Sequence, residues 1–164
     1  MTQTYERDIP RFSVVAGLAL AAVGLGIAVY LTIEHFDSSV TLSCPETGRI
    51  NCQKVTTSQY SHVAGVPVAV LGLIYFLVAL VLLMPSAWRS TSSVIRWARI
   101  VWTGLGALMV IYLVWAEFFG VNSICLWCTA VHVVAFLLFV LVAYTEAMVM
   151  PPVETQSGRP QRVR

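Results

Sequence analysis

The stretch that organises this chain is Ile124-Cys125-Leu126-Trp127-Cys128-Thr129-Ala130-Val131-His132. It places a Cys-x-x-Cys pair at the start of a long apolar run. Residues three apart in a helix lie on one face, so a helix here presents both sulfur atoms to the same side. The backbone N–H groups and the dipole at a helix start stabilise a thiolate, the reactive form in disulfide exchange. The pattern therefore predicts a reactive thiol pair at the start of an apolar helix.

The remaining cysteines, Cys44 and Cys52, lie in the one long polar segment of the chain, residues 34–62. Asn51 is a suitable N-cap for a short helix that runs from Cys52 towards Ser58. A lone Cys-x-x-Cys is weak evidence for a redox site, but a second cysteine pair in a facing polar segment strengthens it. We therefore expect electrons or disulfides to pass between the two pairs, and the rest of the chain to form the frame in which they meet.

The composition is typical of a membrane protein. Hydrophobic residues make up 58% of the 164 residues and charged residues 11%, with a mean hydropathy of +0.79. A soluble domain has about 45–50% apolar and about 25% charged residues. The polar residues are too few to cover a soluble globule of this size. The net charge of +2 is small, so the chain shows no sign of a nucleic-acid partner.

Four apolar runs predict four membrane-spanning helices, at about residues 12–33, 67–84, 100–119 and 124–148. At about 1.5 Å per residue, about 20 residues cross a hydrocarbon core of about 30 Å. The first run is longer than the core of a signal peptide, about 7–15 residues, so we expect a retained helix. The runs define a four-helix domain over residues 12–149, between a cytoplasmic segment, 1–11, and a disordered cytoplasmic tail, 150–164.

The basic residues are distributed unevenly along the chain. Of the ten, only Arg49 and Lys54 lie in the long polar segment, whereas the others lie in the N-terminal segment, in the connection at residues 85–99 and in the tail. By the positive-inside rule both termini are cytoplasmic, and all four cysteines lie on the extracytoplasmic face, which is oxidising in bacteria. We therefore expect a multi-pass protein of the inner membrane, in which Trp88 and Trp97 lie at a membrane interface.

Ionisable residues inside or beside the apolar runs are further candidates. His132 follows Cys128 by about one turn and is expected on the same helix face. Ionisable groups within a membrane are costly and often mark sites, so His132 is a candidate site residue, with a hydrogen bond between helices as the alternative. Glu117 is expected to extend to the membrane interface, and Glu34 and His35 are expected to be solvated.

Two other interpretations of the cysteines are open at this point. Disulfides within the two pairs could staple the outer loop without any catalysis. Four cysteines could instead bind zinc, because a Cys-x-x-Cys pair supplies two of the four ligands of a structural site. The loop pair is eight residues apart rather than in a second Cys-x-x-Cys, which disfavours zinc.

The chain resembles the vitamin K epoxide reductase family, in its bacterial single-domain form, over about residues 12–144. The similarity rests on the loop cysteines, a C-x5-S segment, the start of the second helix and the active-site pair: Cys44 and Cys52, Cys52 to Ser58, Gly65-Val66-Pro67 with Gly72, and Cys125-Leu126-Trp127-Cys128. The order of the pairs is specific, because the Cys-x-x-Cys comes last here and in that family but first in the DsbB family.

The resemblance implies an all-α integral membrane fold. This fold is a four-transmembrane-helix bundle around a quinone pocket. An extracytoplasmic loop and its short helix close the pocket on the outer side. The resemblance also implies a membrane thiol-disulfide oxidoreductase that supports disulfide bond formation, as the functional counterpart of DsbB. The electron donor would be a separate thioredoxin-like or DsbA-like protein, and the acceptor would be menaquinone or ubiquinone.

The resemblance further implies a role for each cysteine. Cys44 would exchange with the partner protein, and Cys52 would pass the electrons to Cys125. Cys128 would face the quinone and reduce it.

Two more residues, Ser58 and His132, are implied to line the quinone pocket beside Cys128. His132 stands where the vertebrate enzymes carry a quinone-binding tyrosine, and Val68 lies near the position of their second-helix asparagine. Both differences favour quinone reduction over the alternative activity, reduction of vitamin K epoxide.

Overall fold

The computed structural model describes residues 10–37, 39–40, 42–90 and 92–149 of the chain. The segments expected to be cytoplasmic, residues 1–11 and 150–164, lie almost entirely outside the described residues. The described part is largely helical. In chain order its elements are α1 (Arg11–Phe36), α2 (Cys52–Thr56), a 3₁₀ turn (Gln59–Ser61), β1 (His62–Val63), β2 (Val66–Pro67), α3 (Val68–Leu82), α4 (Pro85–Arg89), α5 (Ser93–Trp115), a π-helical turn (Ala116–Val121) and α6 (Leu126–Val149).

Three of these helices are long and apolar enough to cross a membrane: α1, α5 with its π-helical continuation, and α6. The fourth long helix, α3, is apolar but has 15 residues, which is short for a span. Because the long helices are apolar on most of their surface, the chain is an all-α membrane protein. α1 packs against α3 and α6, and α5 packs against α6 and α3.

One face of α1 consists of small residues that allow its neighbours to approach closely. Gly17, Ala21, Gly24 and Ala28 are buried along this face. At Gly24 the ring of Phe76 from α3 occupies the space that a side chain would need. Small residues at helix contacts favour packing within membranes, since lipid tails are as apolar as the side chains and burial alone drives little association.

A buried ion pair joins the helix ends remote from the cysteines. Arg99 on α5 donates a hydrogen bond of 2.7 Å to the carboxylate of Glu146 on α6. The same guanidinium donates to the carbonyl oxygen atoms of Leu82 and Ala87, at 3.1 and 3.0 Å. Its central carbon lies 3.5 Å from the centre of the Trp88 ring. One cation thus fastens α3, α4 and α6 to α5.

The connection at residues 85–99, between the second and third apolar runs, was expected to be a polar loop, and the ion pair shows otherwise. α5 begins at Ser93, well before residue 100, so Arg99 lies within the helix instead of in a polar loop. Trp88 is only 4% exposed and packs beneath the guanidinium, so its ring is part of the bundle core. Trp97 is exposed. The helix can extend further than its apolar run because Glu146 compensates the buried charge.

Candidate functional site

The loop cysteines are joined by a disulfide, Cys44–Cys52, and the short helix α2 begins at the second of them. The side chain of Asn51 accepts a hydrogen bond of 2.8 Å from the backbone N–H of Lys54, so the predicted N-cap is confirmed. Cys52 is buried and Cys44 is half-buried. Of the two sulfur atoms, that of Cys44 is therefore the better placed to meet another protein.

The loop is fastened to the Cys-x-x-Cys segment by backbone hydrogen bonds. The N–H of Ile124 donates to the carbonyl of Arg49 at 2.8 Å, and the N–H of Asn51 donates to the carbonyl of Ile124 at 3.1 Å. The residues immediately before Cys52 and Cys125 are thus bonded directly to each other. This bridge brings the second loop cysteine and the first cysteine of the Cys-x-x-Cys pair to the same place.

Side chains hold the residue before the other loop cysteine. The indole N–H of Trp127 donates to the carbonyl of Ser43 at 3.0 Å, and the N–H of Ser43 donates to the hydroxyl of Tyr30 at 3.2 Å. The two aromatic rings pack edge to face, with 4.9 Å between their centres. Because Trp127 lies inside the Cys-x-x-Cys sequence, the segment that carries Cys44 is anchored on that motif as well.

The Cys-x-x-Cys pair itself holds two free thiols at the start of α6. Cys125 is buried and precedes the helix, and its sulfur accepts the backbone N–H of Cys128 at 3.2 Å, as a capping oxygen would. A hydrogen bond from the Cys128 thiol lowers the pKa of Cys125, although burial acts in the opposite direction. The thiolate form of the pair is therefore favoured on Cys125.

A cavity of about 310 Å³ opens between the four long helices and beneath the loop. Cys128 and His132 border it from α6, and Ser58 borders it from the loop. Cys125 is not among the residues that line it. The structure thus brings Cys128, Ser58 and His132 to one cavity, while Cys44, Cys52 and Cys125 lie in the adjoining layer of loop and helix start.

The cavity wall is mostly apolar, with a few polar atoms that have no hydrogen-bond partner within the described residues. These atoms are His132 Nδ1, the Tyr75 hydroxyl and Glu117 Oε1, and all three residues border the cavity. The Ser58 hydroxyl, by contrast, donates to the carbonyl of Val55 at 2.8 Å. Buried polar groups without partners are rare in folded proteins, and they commonly indicate a place where another molecule binds.

The expectation for one acidic side chain near the cavity is wrong. Glu117 does not extend outward to an interface: it is 4% exposed and lies within the π-helical turn. Glu34 and His35 are half-buried and border the cavity, because α1 continues to Phe36 and carries them there. The sequence did contain a feature that could have identified Glu117 as a site residue. It is an acidic residue within an apolar run, eight residues before Cys125.

Metal binding was the other interpretation of the cysteines. Within the described ranges, no three His, Cys, Asp or Glu side chains lie together in a way that could hold a metal ion. The two pairs also differ in state, since one is a disulfide and the other is a pair of thiols.

Comparison with known proteins adds one match. A family model described as the vitamin K epoxide reductase family matches residues 15–143, a range that contains all four cysteines, Ser58 and His132. No curated protein matches the chain.

Proposed function

Since this chain belongs to the vitamin K epoxide reductase family, and is therefore a membrane oxidoreductase, we propose that it transfers electrons from protein thiols to a quinone. Its donor is a thioredoxin-like or DsbA-like protein, and its acceptor is menaquinone or ubiquinone. The activity supports disulfide bond formation. All four long helices span the inner membrane in this proposal, with both termini in the cytoplasm and the cysteines on the extracytoplasmic side.

The observation that carries the proposal is the arrangement of the two cysteine pairs. The loop pair is bonded through its neighbours to the start of α6, and the second thiol of the Cys-x-x-Cys, Cys128, borders the cavity. A chain of four sulfur atoms thus leads from the half-buried Cys44 to an apolar cavity between membrane helices. A disulfide that only staples a loop requires no such path.

The chemistry of the cavity fits a quinone. A quinone is flat and apolar, with two carbonyl oxygen atoms that accept hydrogen bonds. The wall is largely apolar, and the Tyr75 hydroxyl and His132 Nδ1 are buried polar atoms without a partner within the described residues. We infer that His132 donates a hydrogen bond to one carbonyl of the ring, and that Ser58 borders the ring near Cys128.

In the proposed route, electrons pass from the donor protein to the loop pair and from the loop pair to the Cys-x-x-Cys pair. A thiolate of the donor protein attacks Cys44, which releases Cys52; the second donor thiol then closes the donor's disulfide and leaves both loop cysteines reduced. Cys52 attacks Cys125 in its disulfide with Cys128, and Cys128 leaves as a thiolate. Cys44 next attacks Cys52 and releases Cys125, and the Cys-x-x-Cys pair takes up the two protons that the donor thiols gave up. The loop disulfide with a reduced Cys-x-x-Cys, as in this structure, is the state reached at this point.

A quinone bound in the cavity would be the two-electron acceptor for the last step. Cys125 and Cys128 then close their disulfide, and two electrons and two protons leave the pair. Cys128 is the thiol at the cavity wall, so we assign it the contact with the acceptor.

The experiment is oxidation of a reduced DsbA-like protein by the purified chain, with a short-chain ubiquinone or menadione as acceptor. Replacement Cys128→Ser should stop quinone reduction. Replacement Cys44→Ser should block exchange with the donor protein but leave Cys125 and Cys128 reactive towards quinone. Quinone reduction that persists in Cys128→Ser would overturn the route. If all four cysteines stay oxidised whatever the acceptor, the chain is a stapled membrane protein without this activity.

A further inference from the structure

The two thiols of the Cys-x-x-Cys pair lie in different surroundings. Cys128 borders the cavity, and a proton on its sulfur can pass directly to a molecule bound there. Cys125 is 0% exposed and is not part of the cavity wall. When the pair closes to a disulfide, both thiol protons must leave. The proton of Cys125 therefore needs a group that reaches both its sulfur and the cavity.

Glu117 lies close to Cys125 and borders the cavity. Its side chain is buried and borders the cavity, and the backbone N–H of Cys125 is directed at its carboxyl group. Its Oε1 has no hydrogen-bond partner within the described residues. A buried carboxyl oxygen without a partner is unfavourable for folding, since the group is desolvated without compensation. Packing alone gives no reason for an acid at this position.

The backbone at Glu117 is also unusual. The α-helical hydrogen-bond pattern of α5 ends at Trp115, and residues 116–121 form a π-helical turn. The carbonyl of Glu117 accepts the N–H of Ser123 at 3.1 Å, which ties this turn to the segment before Cys125. π-helical turns are rare and are often found at functional sites.

We propose that Glu117 carries the proton of Cys125 into the cavity while Cys125 and Cys128 close their disulfide. The inference rests on the proposed function. As the S–S bond forms, the two thiols lose two electrons and two protons, and a quinone gains them to become a quinol. Cys128 gives up its proton directly. Glu117 takes the proton from Cys125 and passes it to the second carbonyl oxygen of the quinone. Glu117 therefore has the same protonation state at the end of the cycle as at its start.

The charges around Cys125 are consistent with this role. The hydrogen bond from the Cys128 thiol lowers the pKa of Cys125, while burial and the negative charge of Glu117 act against the thiolate. A proton on Glu117 removes that repulsion, so thiolate formation and protonation of Glu117 assist each other. The other titratable groups that border the cavity are Glu34, His35, Tyr60, Tyr75, Cys128 and His132.

The test compares Glu117→Gln with a matched replacement of an exposed loop acid, Glu46→Gln. The loop disulfide is kept closed, the Cys-x-x-Cys is reduced, and its oxidation by menadione is followed in a single turnover by thiol trapping. We expect Glu117→Gln to be at least about 100-fold slower, the low end for loss of a proton-transfer group. The pH dependence of the oxidation rate should also show one titrating group fewer in Glu117→Gln than in the wild type. Glu46→Gln should behave as the wild type.

A second readout does not depend on turnover or on the Gln variant. Redox-difference infrared spectra of the wild type should show a carboxyl band that changes between the thiol and disulfide states, and Glu117→Asp should shift this band. An unchanged rate in a folded Glu117→Gln variant would overturn the inference, and so would the absence of a carboxyl change in the wild type. If the wild type itself is not oxidised by menadione, the proposed function fails instead.

Discussion

Two buried carboxyl groups, Glu146 and Glu117, lie towards opposite ends of the same bundle in opposite surroundings. Glu146 receives a hydrogen bond of 2.7 Å from Arg99, which also binds two backbone carbonyls and stacks on Trp88. Glu117 lies beside Cys125 and a cavity, and its Oε1 has no partner within the described residues. The comparison separates two uses of a buried acid. A paired one fastens helices, and an unpaired one is available for chemistry.

The largest expected effect distinguishes the two acids by stability. Glu146→Gln leaves the buried guanidinium of Arg99 without a countercharge, which should cost about 3–5 kcal/mol of the free energy of unfolding. Glu117→Gln should change stability much less, because it removes no ion pair. Chemical unfolding of both variants in detergent measures the difference. Equal losses in the two variants would break the comparison.

The next effect concerns the contact between α1 and α3, which lies between the ion pair and the cysteines. Gly24→Ala forces a methyl group into the space of the buried Phe76 ring, and overpacking of this kind costs about 1–3 kcal/mol. Gly26, on the same helix, has no atom within 4 Å of the space that a side chain would take up. Gly26→Ala should therefore be neutral or stabilising by up to about 1 kcal/mol. Thermal unfolding of the two variants provides the test, and a loss in both would contradict close packing at Gly24.

A pH titration tests how Cys128 affects the ionisation of the Cys125 thiol. The pKa of Cys125 is lowered chiefly by the hydrogen bond from the Cys128 thiol, so the Cys125 thiolate persists to lower pH than an ordinary thiol. Cys128→Ala removes that donor, and the thiolate should then appear only at higher pH. Ultraviolet thiolate absorbance measures this with the loop disulfide intact. A titration that moves to lower pH, or not at all, would show that Cys128 does not stabilise the thiolate.

The smallest expected effect is the loss of the cap on α2. Asn51→Ala removes the acceptor for the N–H of Lys54, which should cost about 1 kcal/mol. Asn51→Asp keeps an acceptor and should retain most of the stability. Because the change acts at the cysteine end, its effect should be clearest as faster reduction of the Cys44–Cys52 disulfide by a small thiol. Identical reduction rates for Ala and Asp would exclude a role for the cap.

Much of the architecture could be read from local features of the sequence. The cap at Asn51, the helix that starts beside Cys125 and the apolar runs of the long helices depend on neighbouring residues, so their patterns predict them. The family was also visible from the spacing and order of the cysteines. These features are short in range, and their physical causes lie within a few residues of each other.

The missed features depend on contacts between distant residues. Arg99 looks like a residue of a polar connection until Glu146, far along the chain, is seen to compensate its charge. Glu117 looks interfacial because it lies near the end of an apolar run, and no sequence pattern signalled the π-helical turn in which it is buried. Glu34 lies beyond the apolar run, yet the helix continues to Phe36 and brings Glu34 to the cavity wall. In each case the partner or the backbone irregularity decides the position.

Trp127 affects how fast the two cysteine pairs can react. Its indole holds the carbonyl of Ser43, so the segment before Cys44 stays anchored on the Cys-x-x-Cys motif. In the proposed route, exchange between the pairs is unimolecular because one chain carries both, and the anchor keeps the effective concentration of one pair near the other high. Dilution of the protein leaves this exchange unchanged and slows only the encounter with the donor protein.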